Sequence, residues 1–257
     1  WTVTEGRCAQ TSTAGKIILK LLMKSVDVCL SPELIHLYDV SDKTVVVVDI
    51  LRATSCMVTA FAHGVAYIKP YADLEECKAA ASDGYETSGE RNGEKVEGFN
   101  RGNSPFEYMA EAISGKKIAF TTTNGTQAID KAQNAKALLI GAFLNIQAVA
   151  NAVQELNHPT LIVCAGWKGR FNLEDTLFAG ALAKRLMNTF KPEDDAVLAA
   201  MELFENAKGN AVAFLQKSSH VQRLARLNIH KDIEFCLTPD VYAVVPELQN
   251  DHLILRR

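Results

Sequence analysis

The sequence predicts an α/β fold: a doubly wound, mostly parallel sheet with helices on both faces. Three observations predict it. Val45, Val46, Val47 and Val48 are consecutive β-branched residues, the composition of a strand buried on both faces of a parallel sheet. Runs that read as strands alternate with runs that read as helices, the pattern of βαβ units. A shift of 72 positions also aligns two segments without a gap. It sets Asp49 on Thr121, Arg52 on Asn124, Ala53 on Gly125 and Thr54 on Thr126. Further on it sets Ile68 on Ile140, Tyr71 on Phe143, Asp73 on Asn145 and Leu74 on Ile146. Internal duplication of units at about 44–83 and 116–155 explains this register, and common α/β grammar is its rival.

Taken in order, residues 1–22 are polar and aperiodic. They read as a disordered extension ahead of a domain at 23–257 that begins at Met23; an added edge strand at 16–22 is the alternative. Residues 25–30 read as a strand, and Ser31-Pro32 opens a short helix. The 45–48 strand is followed by a polar turn, then a small, apolar helix over 54–63 that Thr54 and Ser55 can cap. Residues 65–69 read as a strand, and Asp73 caps a helix at 74–82. The stretch 83–105, DGYETSGERNGEKVEGFNRGNSP, is too long and polar for a plain connection and reads as a functional loop. A short helix at 106–114 and a strand at 117–121 follow. A third unit has a strand at 160–164, a loop, and a helix at 176–190 whose small residues suit packing on the sheet. Pro192 stops that helix. Residues 193–224 read as helical with a break near 208–210, and 233–237 and 241–245 as two late strands.

Composition narrows the function. The net charge of −3, without a basic stripe, argues against nucleic acid. No apolar run approaches the roughly 18 residues of a membrane span. Six scattered cysteines with no CxxC pair read as reduced thiols in a cytoplasmic protein.

Ligands of open α/β sheets sit at the carboxyl ends of strands, and the turns there carry the candidate chemistry. Asp49 ends the first strong strand as a metal ligand, a nucleophile or a plain turn cap. Arg52 offers a fork to an anion or to Asp49 itself. Thr121 to Thr126 reads TTTNGT, in which Thr122, Thr123, Asn124, Gly125 and Thr126 can surround an anion; it lacks the ending of a P-loop. The glycine-rich stretch offers Glu90, Arg91, Glu97, Arg101 and Asn103, and its bland reading is a solvated loop. The segment CAGWKGRFNLED offers Lys168, Arg170, Glu174 and Asp175. The two carboxylates there are metal ligands or simply favoured by the helix dipole. His220 and His230 read as structural. Together these groups suit a divalent cation with hard oxygen ligands, magnesium or manganese, and a substrate with two anionic ends.

DILRATS, GERNG, GFNRGNSP, TTTNGT, GAFLN and CAGWKGRFNLED, in this order, closely resemble the 2-phosphosulfolactate phosphatase family. The match spans about residues 23–246. Asn92 stands where the family commonly has a second glycine, and Asn100 where it usually has aspartate. The resemblance implies an α/β fold and magnesium-dependent hydrolysis of 2-phospho-3-sulfolactate, a step toward coenzyme M. Asp49, Arg52 and Glu90 are then the expected catalytic group, and Asp49, Glu90, Glu174 and Asp175 the expected Mg²⁺ ligands. Arg52, Thr54 and the 121–126 turn are expected at the phosphoryl group, and Arg91, Arg101, Lys168 and Arg170 at the second anion. The expected partner is a small phosphorylated molecule, with no nucleic acid and no membrane; a homo-oligomer stays open. A phosphatase for another 2-phospho-hydroxy acid and a non-catalytic anion-binding module are the alternatives.

Overall fold

The computed structural model describes residues 23–227 and 229–257. The expectations for residues 1–22 lie outside the described residues. The α/β class expected from the sequence is the one observed. The strands are β1 Lys24–Cys29, β2 Thr44–Val48, β3 Tyr67–Pro70, β4 Glu86–Arg91, β5 Glu94–Lys95, β6 Lys117–Thr121, β7 Ala137–Gly141, β8 Thr160–Cys164, β9 Phe190–Pro192, β10 Pro246–Gln249 and β11 His252–Leu255. The α-helices among the described residues are α1 Ala53–Ala62, α2 Leu74–Ala79, α3 Gly125–Lys131, α4 Ile146–Leu156, α5 Leu173–Leu186, α6 Asp195–Ala207, α7 Ala211–Leu215, α8 Ser219–Ala225 and α9 His230–Cys236.

All the strands join one sheet, in the order β5-β4-β6-β3-β11-β10-β7-β2-β8-β1-β9. β7, β2, β8, β1 and β9 form one parallel block. β4, β6 and β3 form another. The hairpin β10–β11 lies between them and pairs antiparallel with β7 on one side and β3 on the other. Three successive reversals make the two parallel blocks run in opposite senses.

The alternation of strand residues builds a core on each face. Val46 and Val48 of β2 pack with Val149, Leu182 and Val197, under α4, α5 and α6. Val45 and Val47 pack with Met57, Phe61 and Ile129, under α1 and α3. β2 is buried along its whole length, which explains its unbroken valine run.

The two segments related by the 72-residue shift exchange partners. β2 pairs with β7, and β6 pairs with β3. Each crossover helix therefore carries the chain from one parallel block to the other. The entries match: Ala137 N–H donates to Lys43 O at 3.4 Å, and Ala66 N–H to Lys116 O at 2.9 Å.

Several expected elements differ. Residues 233–237 are not a strand but the end of α9. Ile233 and Cys236 are both buried, and their spacing of three puts them on one helix face, which outweighs their strand-like composition. Residues 241–245 are not a strand; the ladder begins only at Pro246. The helix expected at 106–114 is two short 3₁₀ turns, Pro105–Tyr108 and Glu111–Ile113. The long loop at 83–105 contains β4 and β5, hidden by the charge and glycine in ETSGER. Gly180 packs α5 on α6 rather than on the sheet: a Cβ there would stand 1.9 Å from the Ala200 carbonyl oxygen.

Candidate active site

The site begins where β2 and β6 end. After β2, Asp49 N–H donates to Thr54 Oγ1 at 3.0 Å, and the Thr54 hydroxyl lies 2.9 Å from the Asp49 carbonyl as its donor. After β6, Thr122 N–H donates to Thr126 Oγ1 at 3.2 Å, and that hydroxyl returns to the Thr122 carbonyl at 3.1 Å. The same knot closes both turns. The structural counterpart of Asp49 is thus Thr122 rather than Thr121, the first turn being one residue longer. Gly125 brings the turns together: a Cβ there would lie 2.7 Å from Ala53 Cβ and 2.8 Å from Asp49 Oδ2. Only glycine allows that approach.

Four turns are tied into one rim. Ile50 N–H donates to Asp175 Oδ1 at 2.8 Å, joining β2 to the start of α5. Thr123 N–H donates to Glu90 Oε1 at 2.7 Å, joining β6 to β4. Lys168 N–H donates to Asn124 Oδ1 at 2.9 Å, and Lys168 Nζ to Asn92 Oδ1 at 3.1 Å. Those bonds join the loop after β8 to the turns after β6 and β4.

The carboxylates share a dry place. Burial, then the charge of Asp175, pushes the Asp49 pKa up to about 8, with Glu90 adding to it and His220 opposing. Burial and Glu174 push Asp175 up to about 7, against hydrogen bonds from Ile50, Asn172 and Gly166. Two neighbouring carboxyls that resist ionising together are what a cation relieves. Asp49 Oδ1 accepts from Ala53 N–H at 3.3 Å, and Oδ2 accepts no hydrogen bond from the described residues. Glu90 accepts one backbone N–H on each oxygen, from Thr123 and Gly93.

The metal set expected from the sequence is redistributed. Glu174 is bound to His220 Nδ1, and Ser218 donates to it at 3.3 Å, so it is held away from a ligand role. Asp175 is a strut with three donors on its two oxygens. No three His, Cys, Asp or Glu side chains among the described residues form a ready metal cage. Magnesium does not need one; it commonly takes one or two carboxylates and completes its shell with water and substrate oxygens. Asp49, with its open oxygen, and Glu90 fit that donor chemistry.

The expected anion-binding residues divide in the same way. Arg52 is buried and paired with Asp232, and it also donates to Gly93 O at 3.2 Å, so it clamps the β4–β5 turn and α9 together. Arg101 is spent on Glu86 and the Glu107 carbonyl. Arg91 bridges the Glu90 carbonyl and Thr121 Oγ1. The hydroxyls of Thr54, Thr122 and Thr126 serve their turns. Asn103 Oδ1 and Thr123 Oγ1 are buried without a partner, as a group awaiting a ligand would be.

Lys168 lines two cavities. One, of about 400 Å³, is bordered by Thr123, Asn124 and Gln127. The other, of about 510 Å³, is bordered by Trp167, Arg170, Lys217, His220 and Arg223 with Lys168, and its lining carries no carboxylate. A larger cavity of about 580 Å³ lies elsewhere, along α4 and the chain's C-terminal residues, and contains none of these groups.

The sequence does not single out Asp232 or Arg223, and His220 reads there as structural. Asp232 and His220 are buried on helices whose residues are far along the chain from their partners. No local spacing announces such pairs. The Asn at the two departures keeps the turn chemistry. Asn92 has φ of 56°, where asparagine is the best substitute for glycine. Asn100 Oδ1 accepts from Thr87 N–H at 2.9 Å, a bond an aspartate oxygen would also accept.

Comparison with known proteins identifies the family. The family model described as 2-phosphosulpholactate phosphatase matches residues 29–251. A Thermotoga maritima protein named "Probable 2-phosphosulfolactate phosphatase" is 43% identical over 233 residues, 90% of this chain and 98% of that protein. A protein of the same name from Caldanaerobacter subterraneus subsp. tengcongensis is 41% identical over 217 residues, covering 82% and 90% of the two chains. One from Gloeobacter violaceus, also so named, is 40% identical over 207 residues, covering 78% and 86%. The chain belongs to the 2-phosphosulfolactate phosphatase family of phosphoric monoester hydrolases.

Proposed function

We propose that this protein hydrolyses the phosphate ester of a small 2-phospho acid with a second anionic end, 2-phospho-3-sulfolactate being the best fit, and that it requires magnesium. One observation carries the reading: Asn172, which donates to the buried Asp175 at 2.9 Å, lines a cavity together with Lys168, Arg170, Lys217 and Arg223 and with no carboxylate. A sulfonate stays ionised at all ordinary pH, and fixed Lys and Arg cations suit it.

Asp49 and Glu90 would hold the metal, which when bound supplies positive charge against the phosphoryl oxygens. The rest is positioning by the chain itself. The 121–126 turn and Lys168 would border the phosphoryl position. Lys168 also reaches the second cavity, so one cation serves both ends of the ligand. Arg52 holds the rim closed through Asp232. The five described cysteines are free and buried, which supports a reducing, cytoplasmic setting.

The test is phosphate release from 2-phospho-3-sulfolactate, 2-phospholactate and p-nitrophenyl phosphate. The highest kcat/KM is expected on the sulfolactate ester. Equal values on all three would remove the second anion from the account.

A further inference from the structure

We propose that His220 is the acid that protonates the leaving oxygen of the ester, with Glu174 as the residue that positions it. The inference rests on the phosphatase reading above and names a catalytic group that no motif of the sequence contains.

The geometry has four parts. Glu174 is fully buried at the start of α5 and accepts from His220 Nδ1. Ser218 fixes both partners: its hydroxyl donates to Glu174 at 3.3 Å and accepts the His220 backbone N–H at 3.2 Å. Trp167 lies against the imidazole, ring centroids 4.8 Å apart. With Nδ1 held by a carboxylate, Nε2 is the nitrogen left for chemistry. It has no partner among the described residues and is not among the fully enclosed unpaired atoms, so it meets the 510 Å³ cavity that His220 lines. An acid, a carboxylate that orients it and an open ring nitrogen facing a ligand cavity are the arrangement of a proton-transfer pair.

The cavity also says what leaves. Arg223 stands over Trp167, 4.7 Å from the ring, and its buried Nε has no partner. Lys217 and Arg170 complete a cationic wall. The departing alcohol is therefore an anion-bearing one, and its new hydroxyl forms next to His220. In the step, water oxygen bonds to phosphorus and the ester P–O bond breaks with its electron pair on the leaving oxygen. His220 Nε2–H gives its proton to that oxygen. A proton of the attacking water returns to His220 Nε2, so one water is consumed and the protein is unchanged.

An aliphatic alkoxide needs that proton and a nitrophenolate does not. The experiment measures kcat of the wild type, H220Q and E174Q on 2-phospho-3-sulfolactate and on p-nitrophenyl phosphate. We expect H220Q to lose about a hundredfold to ten-thousandfold on the alkyl ester and less than tenfold on the aryl ester, and E174Q to lose less than H220Q with the same preference. Equal losses on both esters would overturn the inference while leaving the phosphatase reading intact. No phosphate from either ester in the wild type would sink both. A second measurement does not depend on the variants folding: wild-type kcat/KM across aryl phosphates of rising leaving-group basicity should change little, and a steep decline would show that no acid assists departure.

Discussion

Replacing Asp49 by Asn should stabilise the metal-free protein while abolishing turnover. Asp49 is buried beside Asp175, and its pKa is pushed up to about 8. In an unfolded chain it would titrate near the ordinary 3.8. Between these values the folded state binds more protons than the unfolded state, so stability falls as pH rises through that window. At pH 7, holding the carboxylate in place costs the fold on the order of 4 kcal/mol, as an upper bound at 1.36 kcal/mol per pH unit. Asparagine keeps the size and the acceptor for Ala53 N–H but carries no charge. The gain should therefore be present at pH 7, absent near pH 3, and reduced for the wild type by saturating magnesium. The assay is urea unfolding in EDTA at several pH values, beside phosphate release with magnesium. A D49N protein less stable than the wild type at pH 7 would refute the electrostatic reasoning. Near-normal turnover would reduce Asp49 to a turn cap.

Three further outcomes are expected. Asp232→Asn leaves the Arg52 guanidinium buried without its ion partner, and should cost about 3–5 kcal/mol in urea unfolding, whereas replacing both residues by apolar ones should cost less. Gly125→Ala forces a methyl into Ala53 and Asp49, and should cost about 1–3 kcal/mol with a loss of turnover; an unchanged melting temperature would show that the turns do not approach so closely. Lys168→Ala should lower kcat/KM about tenfold to a hundredfold on a two-anion ester, since a bond to a charged group is worth roughly 1.5–3 kcal/mol, and by a smaller but measurable factor on p-nitrophenyl phosphate, which keeps only the phosphoryl-end contact; equal losses would confine Lys168 to the phosphoryl end.

Much of this was legible in the sequence because it is local. The valines of β2, the caps at Ser31 and Asp73 and the strand at 117–121 follow from neighbouring residues alone. The sequence also places Asp49, Asn124 and Lys168 just after strands, whereas the strand that carries Glu90 reads there as a loop. What stayed hidden is set by tertiary contact. Nothing around Arg52 says that its partner is Asp232, 180 positions away. Glu174 and Asp175 are adjacent in sequence, yet one orients His220 and the other braces Ile50. The hairpin that reverses the sheet was missed because its strands are only four residues each, and the more apolar segments before them drew the assignment. The partner exchange between β2–β7 and β6–β3 cannot be read from a repeat, which fixes the units but not which unit each strand joins.

The central claim is that the buried carboxylates at the ends of β2 and β4 would hold a divalent cation whose shell a two-anion phosphate ester completes. Its most direct measurement is the initial rate of phosphate release from 2-phospho-3-sulfolactate as magnesium is titrated into EDTA-treated protein. The account predicts no release in EDTA, saturable recovery with magnesium, and no recovery in D49N at any magnesium concentration. An undiminished rate in EDTA would contradict it.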